Sequence, residues 1–295
     1  MKKKLLAAAV LASLTLSTAA VFAAAPTFSG DANIEYRNQD TRTTDDGENY
    51  GYFTNRIRLN VESQIDDTFY IHGRARMDNN LRDGGQTTTT SFDQAYIGAK
   101  FDQVDLKVGR QSLAIGKGLL MDDDKFTGAQ VGIALDGTKL NGFTGRDAND
   151  DKTHFADVST AMGDVNLGAS FLKEADNKYY GINADTKLAD NVVLNVEYAK
   201  NNTLKADGYL AEIAVGQAAQ KGDFKYAVSY RDIDAGALPD FTTDGWYKDS
   251  KGFRVKGIYK VSDAATLTAY QDIAEENNGS KADHNRTNVE FAVSF

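Results

Sequence analysis

The feature of this sequence that most constrains its fold is an alternation of apolar and charged residues with a period of two. In the segment 27–38, TFSGDANIEYRN, every second residue from Phe28 to Tyr36 is apolar or small, and the residues between them are polar or charged. Successive side chains of a β-strand point to opposite faces, so each such segment has one apolar and one highly polar face. The pattern returns over 53–62, 69–78 and 287–295, and it is weak over 138–145, 154–162, 178–187 and 264–273.

The connections between these segments indicate 16 strands in total. Every second connection is short and consists of tight-turn residues, such as Asp136-Gly137, Gly163-Asp164 and the turn 221–223. The intervening connections are longer and hydrophilic: 39–50, 79–91, 110–127, 146–153, 173–177, 200–207, 232–249 and 274–283. Short turns at one rim and long loops at the other are typical of membrane barrels. The sequence therefore predicts an all-β fold, a 16-stranded antiparallel transmembrane β-barrel with both termini at the short-turn rim.

The dense charge on the polar faces indicates that the interior of this barrel is filled with water. Arg56, Arg58, Arg74 and Arg76 alternate with apolar residues on two neighbouring strands. In a dry core each unpaired ion among them would cost several kcal/mol, whereas a barrel of about 16 strands has a lumen wide enough for water. After residue 25 no run approaches the ~18 apolar residues of a membrane-spanning helix, and mean hydropathy is −0.45.

Residues 1–23 are predicted to be a cleaved export signal. Three lysines at 2–4 precede a short apolar stretch, and small residues follow it. We expect cleavage after Ala23, with Ala25 as the alternative site. Cleavage leaves 24–295 as one barrel domain.

Composition excludes several kinds of site. Cysteine is absent, so disulfides and zinc–thiolate sites are excluded, and the sequence predicts neither a metal site nor a cofactor. Removal of the three signal lysines takes the formal charge from −9 to −12, an acidic balance that argues against nucleic acid as a partner. Proline occurs at Pro26 and Pro239 alone, as expected of a chain whose strand ladders must all close.

The strand rhythm, the segment GRQSLAIGKGLLMDDDKFTGA (109–129) and the C-terminal strand ending in Phe295 resemble the Gram-negative general porin superfamily. The resemblance covers essentially the whole mature chain. It implies a third loop, 110–127, that folds into the barrel and narrows it. It also implies that Phe295 is the signal read by the outer-membrane barrel assembly machinery. A place in the cell outer membrane, among its lipids and lipopolysaccharide, and assembly as a homotrimer follow from the same resemblance.

A pore of this kind would carry small hydrophilic solutes and ions by passive diffusion, with selectivity set by charges at its constriction. The basic candidates lie on the inward faces of the first three strands: Arg37, Arg56, Arg58, Arg74 and Arg76. The acidic candidates lie on the third loop: Asp122, Asp123 and Asp124. Two opposed ladders would create a transverse field. In the alternative interpretation, the arginines are paired in a structural network with Asp31, Glu35, Glu62 and Asp78.

Three other functions are alternatives. A substrate-specific porin would need an aromatic track or a single-sign binding ladder in the lumen, and the few inward aromatics do not decide this. A non-conducting barrel that acts as an adhesin or surface receptor is less favoured, because the loops are of moderate length. An enzyme would need a Ser/His or Asp/His group. His72, His154 and His284 have no serine at a useful spacing, so no enzyme activity and no catalytic residue are predicted.

Overall fold

The described part of the chain forms one closed barrel of 16 antiparallel strands, which confirms the predicted fold class. The computed structural model describes residues 25–41, 50–81, 87–239, 241–242, 245–277, 279 and 282–295. The strands are β1 (Thr27–Thr41), β2 (Tyr50–Gln64), β3 (Phe69–Asn80), β4 (Thr87–Phe101), β5 (Val104–Ile115), β6 (Met121–Leu135), β7 (Thr138–Arg146), β8 (Lys152–Met162), β9 (Val165–Glu174), β10 (Asn177–Ala189), β11 (Val192–Asn201), β12 (Ala206–Gly216), β13 (Phe224–Ile233), β14 (Ser250–Lys260), β15 (Ala265–Glu276) and β16 (His284–Ser294). The predicted export signal, 1–23, lies outside the described residues.

Every strand pairs with its neighbours in sequence, and β1 pairs with β16 to close the ring. Closure matters because lipid offers no hydrogen-bond partner, so an open sheet edge would leave a row of backbone groups unpaired. The described residues also include a 3₁₀ helix at Gly245–Tyr247. No helix among them has the length and hydropathy needed to cross a membrane.

The outer surface of the barrel is apolar. Ile97, Val108, Ile182 and Phe253 point outward and are between 51% and 61% exposed. Such a band of exposed apolar side chains is unusual on a soluble protein. In a bilayer the hydrocarbon chains cover it, so the apolar faces predicted from the alternation are the lipid-facing faces.

Aromatic side chains are paired near both rims of this surface. At the short-turn rim, the rings of Phe224 and Tyr259 stack with centroids 4.4 Å apart. At the long-loop rim, Tyr230 lies 4.9 Å from Phe253, and a similar pair joins β1 and β2. Aromatic rings at both edges of an apolar band are typical of barrels that cross a bilayer, because the rings suit the headgroup region.

The third long connection is shorter than predicted. Backbone pairing in the β5–β6 hairpin continues as far as Ile115 and Met121, with one register shift between Gln111 and Leu113. The loop predicted over 110–127 was therefore wrong in its bounds, and the connection is 116–120. The side chains of this paired segment, such as Leu113, Ile115 and Met121, are buried in an apolar cluster.

Two other connections also differ from the prediction. The loop predicted over 173–177 is the tight turn 175–176. The turn predicted over 221–223 begins at 217, because β12 ends at Gly216. The φ of Gly216 is 83°, a left-handed value that glycine adopts without steric cost. The remaining connections keep the predicted asymmetry between the two rims.

An apolar cluster lies inside the barrel near the long-loop rim, and we call it the inner cluster. The hairpin contributes Leu113, Ile115, Leu119, Leu120, Met121 and Phe126, the inner faces of β7 to β10 contribute Phe143, Phe155, Leu172 and Tyr179, and the β13–β14 connection contributes Leu238, Phe241, Trp246 and Tyr247. This packing explains the weak alternation over 138–145, 154–162 and 178–187. Strands there are apolar on both faces, because one face meets lipid and the other meets the hairpin.

The C-terminus completes the seam between β1 and β16. The backbone N–H of Gly30 donates to the Phe295 carbonyl at 2.7 Å, and the N–H of Phe295 donates to the Gly30 carbonyl at 2.9 Å. The Phe295 ring lies over Gly30, where a Cβ would come within 2.5 Å of Phe295 Cζ and 2.6 Å of the Arg58 carbonyl oxygen. Glycine at position 30 therefore lets the last residue close the barrel.

Gly30→Ala is expected to destabilise the barrel by about 1–3 kcal/mol, because the new methyl group overpacks the seam. The measurement is denaturant unfolding of the refolded protein in detergent micelles. Gly257→Ala on β14 is the matched control, since a Cβ there meets nothing within 4 Å. Equal stability of the two variants would contradict the role assigned to Gly30.

Candidate functional site

The tip of the β5–β6 hairpin is attached to the inner wall of the barrel. The Glu197 carboxylate on β11 accepts hydrogen bonds from the backbone N–H groups of Lys117 and Leu119, both at 3.0 Å. The Lys117 ammonium forms an ion pair with Asp185 on β10. Asp185 and Glu197 alternate with the outward-facing Ile182, Ala184 and Val196, so both point into the lumen. The contacts are consistent with the inward-folded third loop that the resemblance implies.

A second segment packs on the same tip from the β13–β14 connection. The hydroxyl of Thr242 donates to the carbonyls of Gly118 and Leu119, at 3.0 and 2.8 Å. The ring of Phe241 meets Phe126 edge-on, with centroids 5.0 Å apart. Polar and apolar contacts thus join two long-loop connections inside the barrel.

A cavity of about 550 Å³ lies beside the hairpin tip in the lumen. Its basic lining residues are Arg37, Arg56, Lys117, Arg231, Arg254, Lys256 and Arg286, and its acidic ones are Glu35, Glu212 and Glu290. Asn195, Leu210 and Tyr270 complete the lining. Positive charge therefore exceeds negative charge around this space, although the whole chain is acidic.

Four of the five arginines predicted as a basic ladder are held in ion pairs. The pairs are Arg37–Glu35 at 2.6 Å, Arg58–Asp31 at 2.9 Å, Arg74–Asp93 at 2.8 Å and Arg76–Asp78 at 2.6 Å. Arg74 donates from Nε and from Nη2 to the two carboxylate oxygens of Asp93, both at 2.8 Å. This bidentate arrangement is the strongest geometry for an arginine–carboxylate pair. The structural network that was the alternative interpretation is thus present for these four side chains, with Asp93 as a member that the sequence did not indicate.

Arg56 differs from the other four arginines. Within the residues that the structure describes, it has no ion pair, and its buried Nε has no hydrogen-bond partner. It lines the cavity at the hairpin tip together with Arg37. Its neighbour on the same face of β2, Arg58, points its guanidinium at Asp31 instead.

The three aspartates predicted on the third loop lie in strand β6. Asp122 pairs in register with Ala114, and Asp123 pairs with Leu113. The side chain of Asp124 lies outside the described residues. The three aspartates belong to the hairpin predicted as the third loop, but they lie in strand β6 and not in its turn, because the connection itself is 116–120 and the hairpin continues as paired strands. The hairpin residue that lines the cavity is Lys117.

The sequence analysis missed a basic group on the last strands, which we call the β13–β16 basic wall: Arg231, Arg254, Lys256 and Arg286. These residues alternate with outward-facing Val228, Phe253, Val255 and Val289, so they point into the lumen. The same period-two rule that placed the early arginines would have found them. Their proximity to the hairpin tip follows only from closure of the barrel.

Asp272 on β15 holds this wall together. Its carboxylate is fully buried and accepts hydrogen bonds from Arg254 at 2.6 and 3.1 Å and from Arg286 at 3.0 Å. The hydroxyl of Tyr247 donates to it at 3.1 Å. Burial, and next the negative charge of Asp272, raise the pKa of Tyr247, so this phenol stays protonated and remains a donor.

Aromatic rings fix the guanidinium groups from the other side. Arg254 lies 4.4 Å and Arg286 5.2 Å from the centre of the Tyr270 ring. Arg286 also lies 4.7 Å from the Trp246 ring. Cation–π contacts and a shared carboxylate hold like charges close together, which would otherwise repel one another.

The comparison with protein families agrees with this architecture. The family model described as Gram-negative porin matches residues 7–295. This chain belongs to the Gram-negative porin family. The fold class and the resemblance predicted from the sequence are therefore confirmed.

Solved porin structures share the fold of this porin at low sequence identity. A doubly substituted variant of the porin from Rhodopseudomonas blastica is 11% identical with a TM-score of 0.66, and the match covers 92% of this chain and 100% of that chain. A triply substituted variant is 11% identical with a TM-score of 0.65 and the same coverage. At such identities the likeness shows the fold alone. No curated protein matches this sequence significantly.

Asp272→Asn is expected to destabilise this porin by about 3 kcal/mol, because it leaves two mostly buried guanidinium groups without their carboxylate. The expected loss of stability is at the low end of the range for a broken buried ion pair, because the wall faces a polar lumen. Denaturant unfolding in detergent micelles measures the change. The control is Asp263→Asn in the exposed β14–β15 turn, which should leave the unfolding midpoint unchanged.

Proposed function

We propose that this porin is a water-filled channel through which small hydrophilic solutes and ions diffuse passively across the outer membrane. The observation that carries the proposal is a closed barrel that is apolar outside and lined by charged side chains inside. Charged side chains need water or partners, and the wide lumen of a 16-stranded barrel provides room for both. No energy source is required for such a flux.

The constriction lies where the hairpin tip approaches the inner wall. Lys117 and Arg56 line the cavity of about 550 Å³. A second cavity of about 320 Å³ shares Arg37 and Arg56 with it and extends to Arg76 and Asp78. Of the predicted ladder, Arg37, Arg56 and Arg76 therefore act on passing solutes, whereas Arg58 and Arg74 serve the ion-pair network. Asp122, Asp123 and Asp124 add negative charge to the arm of the hairpin.

Export, assembly and location follow the family pattern in this proposal. The signal over 1–23 directs export and is cleaved. The barrel assembly machinery recognises the last strand, whose terminal Phe295 points outward and is 68% exposed. The apolar surface then contacts outer-membrane lipids and lipopolysaccharide, and three copies form a homotrimer.

The protein acts as a channel and not as an enzyme in this proposal. His154 hydrogen-bonds to Thr144, His284 contacts the Trp246 carbonyl, and His72 stacks on Tyr96 with ring centroids 5.0 Å apart. In the described part of the chain no histidine has a serine as its hydrogen-bond partner. The described ranges also contain no cluster of three histidine, cysteine or acidic residues placed to hold a metal ion.

Single-channel recording in a planar bilayer tests this function. The refolded protein is expected to give large ohmic current steps, and three equal sublevels would support the homotrimer. A folded barrel that inserts without conducting would overturn the channel proposal and favour the adhesin or receptor alternative. Circular dichroism and heat-dependent gel mobility of the same sample establish that the barrel is folded.

Glu197→Ala is expected to give larger and noisier current steps than the wild type. The change removes the acceptor for two backbone N–H groups of the tip, and loss of about 2 kcal/mol shifts the balance between attached and detached tips about 30-fold. Glu212→Ala is the control, because it removes the same charge from the inner wall without touching the hairpin. Quiet, unchanged steps from the Glu197 variant would show that other contacts suffice to hold the tip.

A further inference from the structure

We propose that the β13–β16 basic wall, with Arg56 and Lys117 facing the same cavity, is a binding site for small oxyanions and makes the pore anion-selective. The ligand class is solutes that carry a carboxylate or phosphate group. This inference rests on the proposed channel function and adds the sign of its selectivity and the location of the site. The net charge of the chain is negative and by itself would predict a preference for cations.

The charge around the cavity is the first support. Among the side chains that the structure describes, seven basic and three acidic ones line it. Asp272, behind the lining, offsets one further positive charge through Arg254 and Arg286, and Asp185 offsets another through its ion pair with Lys117. An excess of positive charge therefore remains in a narrow space with low-dielectric walls, which concentrates anions from the solution.

Unused hydrogen-bond donors are the second support. In the ranges that the structure describes, Arg286 donates through its Nε to Asp272 and makes no other hydrogen bond. Arg56 has no ion pair with any described residue, and its Nε has no partner among them. A guanidinium carries five N–H groups in a planar fork that fits carboxylate and phosphate oxygens. Two lining residues thus have donors left for a ligand.

Rigidity is the third support. Tyr270 lies against both Arg254 and Arg286, and Asp272 fixes both guanidinium groups through their Nε atoms. The wall is therefore organised before a ligand arrives, so little conformational entropy is lost on binding. Loose lysines on an exposed surface would not have this property.

The early arginines provide an internal contrast. Arg58 and Arg74 each face a carboxylate at 2.8–2.9 Å, so their charge is compensated within the barrel wall. Arg56 lies two residues from Arg58 on the same face of β2, yet no carboxylate among the described residues pairs with it. Substitution of Arg56 and of Arg58 can therefore be compared directly, because both are arginines on one strand and both point into the lumen.

The test is the reversal potential of single channels in a potassium chloride gradient. The wild type is expected to prefer chloride over potassium, with a permeability ratio of about 3 or more. Lys256→Gln and Arg56→Gln should each lower this ratio about 2-fold, and Arg58→Gln should change it little. Lys256→Gln and Arg56→Gln leave the ion pairs of Asp272 with Arg254 and Arg286 intact, so both variants are expected to fold. The two variants also test the site independently of each other.

Inorganic phosphate is the binding probe. At constant ionic strength, phosphate should reduce the chloride current in a concentration-dependent way, and Lys256→Gln and Arg56→Gln should weaken this effect relative to Arg58→Gln. Normal steps with a preference for potassium would overturn the site and leave the channel function intact. Absence of steps from a folded barrel would instead overturn the channel function. A phosphate effect equal in all three variants would place anion binding elsewhere and also contradict the site.

Discussion

The need to pair every backbone N–H and carbonyl in a medium without water determines the rest of this structure. A sheet can meet that need in lipid only by closing on itself, and β1 meets β16 over eleven register pairs, from Asp31–Ser294 to Thr41–His284. Closure has two consequences. It sends the apolar side chains outward to lipid, and it collects the polar side chains around a common lumen. It also makes neighbours of strands from opposite ends of the chain, so Arg37 and Arg286 can line one cavity.

The lumen contains charges of two kinds. On β2 and β3, arginines such as Arg58 and Arg74 are balanced by carboxylates close by, and these pairs stiffen the wall without leaving a strong field. On β13 to β16, one buried carboxylate is shared by two arginines and the cavity keeps an excess of positive charge. The difference is a matter of partner placement and not of arginine number, and the placement of partners on neighbouring strands depends on the fold.

The inner cluster shows how an aqueous barrel can still contain an apolar core. Leu119 and Leu120 at the hairpin tip are fully buried against the inner faces of β7 to β10. Burial of such side chains removes apolar surface from water and fixes the tip, at a stabilisation of about 1.5–3 kcal/mol per fully buried leucine. Strands that serve this cluster lose their amphipathic alternation, because both of their faces meet apolar surroundings. The weak alternation of β7, β8 and β10 therefore reflects their packing against the hairpin.

The sequence by itself determined the strand number, the antiparallel order, the lipid-facing residues and the family, because alternation and turn chemistry are local properties of the chain. It also determined that Arg37, Arg56, Arg58, Arg74 and Arg76 point inward. The contacts of the folded barrel determine which of them are neutralised, since Asp93 pairs with Arg74 from the neighbouring strand β4. They also show that Lys117, and neither Asp122 nor Asp123, lines the cavity, and that Arg231, Arg254, Lys256 and Arg286 surround it. These are contacts between distant parts of the chain, and no local pattern encodes the distance between them.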